Sequence, residues 1–90
     1  MDALYSAQAT AVGGRDGHVE TSDGLLKVDM SIPKSMGGPG RPDTTNPEQL
    51  FAAGWSACLE SAIALAAQNR KAVLPGDVTI DAEVDLNLSD

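Results

Sequence analysis

The chain has 90 residues, of which 42% are apolar, and thirteen acidic against six basic side chains give it a formal charge of −7. A chain of this length is one domain near the lower end of what folds alone, and its three aromatic residues, Tyr5, Phe51 and Trp55, leave a thin core that would gain from a covering partner. No cluster of Lys or Arg is present, which argues against nucleic acid and against an anionic membrane surface as ligands.

The first residues, MDALYSAQ, lack a basic stretch and an apolar run, so no signal peptide is expected. Residues 3–12 alternate small and polar side chains and predict a first strand. Gly13-Gly14-Arg15-Asp16-Gly17 supplies three glycines in five residues and predicts a turn. A short strand, His18 to Thr21, is followed by a tight turn at Ser22-Asp23-Gly24. Leu25 to Ile32 then places Leu26, Val28 and Met30 on one face and Lys27, Asp29 and Ser31 on the other. This opening third reads as an antiparallel meander.

Residues 33–45 hold Pro33, Gly37, Gly38, Pro39, Gly40 and Pro42 and carry no periodicity, so a long loop is expected. A helix begins at Asn46, with Asn as N-cap, Pro47 at the first helical position and Glu48 in the electropositive first turn. Phe51, Trp55, Cys58, Leu59, Ala62, Ile63 and Ala66 follow the three-to-four spacing of a buried stripe. Arg70 and Lys71 close the helix and Leu74-Pro75-Gly76 stops it. No 18 consecutive residues are apolar, so no membrane span is expected. Across residues 77–88, Val78, Ile80, Ala82, Val84, Leu86 and Leu88 alternate with polar residues, which predicts a long strand with one dry face and one acidic face. The fold class is therefore α+β, in a single domain over residues 1–90.

Metal binding fails on counting, because Cys58 and His18 are the only soft ligands and a zinc site needs three or four. His18, in a strand, reads as a surface or hydrogen-bonded residue rather than a base. Cys58 is the only cysteine, so no internal disulfide forms and a reducing, cytoplasmic setting is expected. Read from spacing alone, Cys58 is a small apolar residue of a helix stripe. A reactive thiol needs its ionisation assisted, and three turns into a helix the N-terminal dipole is too distant to assist it. The assistance would come from a cation brought by tertiary structure, and Arg15 and Arg41 are the two held in glycine-rich loops.

The stretch T-N-P-E-Q-L-F-A-A-G-W-S-A-C (Thr45 to Cys58) closely resembles the peroxidatic-cysteine helix of the organic hydroperoxide resistance proteins, within the Ohr/OsmC family. The front half is similar as well: L-Y, then G-G-R-D-G-H-V, S-D-G and I-P-K-S-M-G-G-P-G. The resemblance implies an Ohr/OsmC-like fold, an intertwined homodimer with sites at the subunit interface, and a thiol-dependent peroxidase that reduces alkyl or fatty-acid hydroperoxides in oxidative-stress defence. By motif it implies Cys58 as peroxidatic thiol, Arg15 as its activating cation and Glu48 as the carboxylate that holds the arginine. Phe51 and Trp55 are then candidates for the wall of the substrate pocket. No resident cofactor is implied; the reductant would be an external dithiol of lipoyl type.

Glu48 and Cys58 are ten residues apart, about 15 Å along a straight helix, so Glu48 is expected to serve the site of a partner subunit. The family also has a resolving cysteine in a C-terminal half that lies beyond the region matched here. The chain is thus expected to be the N-terminal part, with an external thiol resolving Cys58. A non-catalytic structural or dimerising unit, and an OsmC-type protein acting on another electrophile, are the alternative readings.

Overall fold

The computed structural model describes residues 4–73, 76 and 78–87, and the chain divides into two compact units, Met1–Pro47 and Glu48–Asp90. In the first, β1 (Ala9–Val12), β2 (His18–Thr21) and β3 (Lys27–Asp29) form an antiparallel sheet in the order β1-β2-β3. The register pairs Ala9 with Thr21 and Val12 with His18, and on the other edge of β2 pairs His18 with Asp29 and Glu20 with Lys27. The meander expected from the alternation is present, in shorter pieces. β2 turns away after Thr21, so the last hydrogen bond to the first segment runs from Ser22 N–H to the Gln8 carbonyl (2.8 Å). The expected start of the first strand at Ala3 lies outside the described residues.

The turns use the glycines where the backbone requires them. Gly13, at φ 84°, opens a short 3-10 turn over Gly14–Asp16 that joins β1 to β2. At its far end a side chain on Gly17 would overlap the Val12 carbonyl, so only glycine closes this corner. Gly24, at φ 74°, makes the second hairpin.

The loop over residues 33–45 is better organised than its composition suggests. It contains a 3-10 turn, Lys34–Met36, ended by Gly37 at φ 85°. Thr45 then pairs as a parallel bridge with Met30. Met30 (4% exposed) and Ser31 (3%) are the buried residues among those described. Ser31 departs from the sequence reading, which put it on one face with Lys27 and Asp29, both exposed. Its hydroxyl pairs with that of Thr44 (2.5 Å) and accepts the Arg41 main-chain N–H (3.0 Å), while Arg41 Nη2 donates to the Met30 carbonyl (2.8 Å). Side chains thus supply the hydrogen bonds that a periodic ladder would otherwise make.

In the second unit α1 spans Pro47–Asn69, with Pro47 at its first position and Glu48 in its first turn, as the cap residues predict. It ends before Leu74-Pro75-Gly76, of which Leu74 and Pro75 lie outside the described residues. Lys71 adopts φ 56°, its N–H bonds the Gln68 carbonyl (3.1 Å), and Ala72 N–H bonds that of Ala67 (2.9 Å). This is a Schellman closure with a lysine in the left-handed position usually given to glycine.

The stripe expected to be buried is split. Leu59 and Ile63 are half-buried, together with Ala52, Ser56 and Ala67, whereas Phe51, Trp55, Cys58, Ala62 and Ala66 are exposed. A set spanning two neighbouring faces was read as one, because a mostly apolar helix gives no sharp polar boundary. By length and composition alone α1 could cross a membrane, contrary to the expectation. Glu60 at mid-helix is costly at a bilayer centre, so length and composition are weak evidence for a span.

Residues 78–87 have no ladder partner among the described residues. Their period of two is nevertheless visible in burial. Val78, Ile80, Ala82 and Val84 are half-buried, and Thr79, Asp81, Glu83 and Asp85 are exposed, but the alternation stops there: Leu86, expected on the dry face, is exposed. Asp77 and Leu88, the ends of the expected strand, lie outside the described residues.

Candidate functional site

α1 carries four of the five residues singled out from the sequence. Phe51, Trp55 and Cys58 succeed one another at steps of four and three, so they share a face. The face is open: Phe51 is 63% exposed, Trp55 51%, and the free Cys58 thiol is exposed. Ala62 and Leu65 continue it toward the C-terminus. A thiol one turn past two aromatic residues on an exposed helix face is accessible to a reagent, with apolar side chains on its N-terminal side.

Glu48 is half-buried in the first turn of the same helix. Because α1 is continuous from Pro47 to Asn69, Glu48 and Cys58 remain about 15 Å apart along its axis, and no bend brings them together. Arg15 belongs to the first unit, in the 3-10 turn between β1 and β2, and is half-buried. Arg41, the other cation held by a glycine-rich loop, has its guanidinium on the Met30 carbonyl and serves that loop.

His18 is engaged on both sides. Its Nδ1 lies 2.8 Å from Asp29 Oδ1 and its Nε2 lies 3.3 Å from Glu20 Oε1. The Asp29 hydrogen bond raises its ionisation above the usual 6.5, desolvation opposes this, and Glu20 adds to the rise. Asp23 is held below the usual carboxylate range, first by the Thr21 hydroxyl and then by the Leu25 N–H. Sequence reasoning missed two residues of the first unit: Ser31, which anchors the loop, and Asp16, whose Oδ1 accepts the Ile32 N–H at 3.2 Å. An Asp inside a glycine turn was the available signal for the second.

Residues 38–90 match the family described as OsmC-like protein. The chain belongs to that family. An organic hydroperoxide resistance protein of Xanthomonas axonopodis pv. citri is 49% identical over 83 residues, covering 92% of this chain and 58% of the relative. The crystal structure of an organic hydroperoxide resistance protein from Legionella pneumophila superposes with a TM-score of 0.89 at 53% identity, over 99% of this chain and 63% of that one. One from Vibrio cholerae, with captopril bound in one of its active sites, gives 0.75 at 48% identity, over 83% and 51%. The α+β fold is therefore that of the OsmC-like family, and the chain spans a little over half the length of the curated relatives it matches. The Ohr resemblance drawn from the helix motif and the glycine turn agrees with the names of these relatives.

Proposed function

We propose that the chain carries the peroxide-reacting part of a protein that reduces organic hydroperoxides, with Cys58 as nucleophile. The observation that carries this reading is the exposed Cys58 thiol on the helix face that also presents Phe51 and Trp55. The thiolate attacks the terminal oxygen of R–O–O–H, the O–O bond breaks, and the alkoxide takes a proton to leave as alcohol. Cys58 is left as sulfenic acid, oxidised by two electrons. An external dithiol returns it to thiol in two exchanges, releasing water and ending as a disulfide. The apolar wall of Phe51 and Trp55 favours an alkyl chain over hydrogen peroxide.

An unassisted cysteine ionises at about 8.5, so the thiolate needs a cation at neutral pH. Arg15 is assigned that part, because a guanidinium stays charged and holds a thiolate and a carboxylate together. Glu48 is assigned the carboxylate. Its separation from Cys58 along a continuous helix favours service to a second subunit of a homodimer. A reducing cytoplasm is the compartment that suits a lone reactive thiol.

The test is turnover of an alkyl hydroperoxide with a dithiol reductant. The parent chain should consume it faster than hydrogen peroxide, and Cys58→Ser should abolish consumption. Equal turnover by parent and Cys58→Ser, or a preference for hydrogen peroxide, defeats the reading.

A further inference from the structure

The β2–β3 ladder ends in a way that gives Asp16 a task. In antiparallel pairing the hydrogen-bonded pairs recur at every second residue. Thr21 N–H donates to the Leu26 carbonyl (2.8 Å), Val19 stands opposite Val28, and Met30 N–H donates to the Gly17 carbonyl (2.8 Å). The next donor in this series is Ile32 N–H, and the main-chain acceptor in register with it is the Arg15 carbonyl. The chain has by then curled into the 3-10 turn, Gly14–Asp16, and Ile32 N–H bonds Asp16 Oδ1 instead (3.2 Å). A side-chain oxygen one residue along thus continues the ladder.

Ile32 is a firm anchor for this contact. Its carbonyl accepts Gly40 N–H (2.9 Å), a side chain at Gly38 would collide with it, and it follows the buried Ser31. The turn is therefore fastened at three places: Gly17 N–H to the Gly14 carbonyl within it (3.1 Å), the Gly17 carbonyl to Met30, and Asp16 to Ile32. Arg15 lies between the first and last of these.

We propose that Asp16 is a positioning residue for Arg15: its carboxylate replaces the ladder acceptor of the curled turn, so that the turn is latched to Ile32 and presents the guanidinium from a fixed backbone. The inference rests on the functional reading above, in which Arg15 favours the Cys58 thiolate. It adds the device by which a residue between glycines, the most flexible backbone available, is held in place.

The test measures Cys58 alkylation by iodoacetamide against pH, because the thiolate is the species that reacts. The variants are Arg15→Ala, Asp16→Ala, Asp16→Ser, Asp16→Asn and the Arg15→Ala/Asp16→Ala pair, each checked for fold by circular dichroism. Asp16→Ala and Asp16→Ser should slow alkylation at neutral pH by about fivefold, the loss of one hydrogen bond's worth of positioning. They should move the profile in the same direction as Arg15→Ala. Asp16→Asn, which keeps the oxygen acceptor, should restore the parent profile, and the pair should react no more slowly than Arg15→Ala alone. A parent-like profile in Asp16→Ala and Asp16→Ser, with Arg15→Ala displaced, overturns the latch and leaves the function standing. An unmoved profile in Arg15→Ala overturns the functional reading and the latch with it.

Discussion

At the scale of single residues, His18 carries a pH dependence whose sign follows from its partners. Asp29 and Glu20 both accept from the ring, so the doubly protonated imidazolium satisfies both carboxylates at once. His18 faces Asp29 as a non-hydrogen-bonded cross-strand pair, in which side chains approach most closely. Its ionisation in the folded chain is raised above the usual 6.5, with the Asp29 hydrogen bond as the largest cause. The folded state therefore binds the proton more tightly than the unfolded one. The added stability is complete below the unfolded value and is lost as pH rises through the folded value. The thermal midpoint should hold below about pH 6.5 and fall as pH rises above it in the parent, and stay flatter in His18→Gln. Identical pH profiles for the two proteins would contradict the assignment.

At the scale of elements, the end of α1 offers a direct check. Lys71 occupies the left-handed position of a Schellman closure, where a β-carbon is strained and glycine is preferred. Lys71→Gly should relieve that strain and raise stability by roughly 0.5–1 kcal/mol, net of the added freedom of the unfolded chain. A loss of stability in urea denaturation would mean that the lysine side chain supplies a contact that outweighs the strain. The start of this helix was legible from Asn46-Pro47-Glu48, since capping chemistry is local. Its end near Arg70 and Lys71 was legible too, but not the form of the closure, because a lysine in left-handed geometry leaves no composition signal. The same division holds in the first unit. The strand His18 to Thr21 and both glycine turns follow from alternation and φ requirements. The bonds of Ser31 to Thr44 and Arg41, and of Asp16 to Ile32, join residues ten or more apart in sequence, which a local pattern does not encode. For the candidate site, spacing placed Phe51, Trp55 and Cys58 on one face correctly. It misjudged the burial of that face, because periodicity reports which residues share a side and not what covers it.

At the scale of the whole molecule, that uncovered face gives the last prediction. Phe51, Trp55 and Leu65 expose large apolar surface along one side of α1, more than scattered surface residues would. Gly54 lies beside them at mid-helix, with open space around the position where a side chain would stand. Alanine there should strengthen the isolated helix by about 1 kcal/mol, because glycine carries the larger entropic cost. The absence of a side chain at Gly54 leaves room for a close approach by another surface, such as the second subunit of the proposed homodimer. The two effects separate by concentration. In dilute solution Gly54→Ala should melt at higher temperature than the parent. Sedimentation at rising concentration should show the parent associating and Gly54→Ala associating more weakly, with Trp55→Ser weaker still. If the parent remains monomeric throughout, the face is not a self-association surface. If Gly54→Ala associates as well as the parent, no close approach occurs at that glycine.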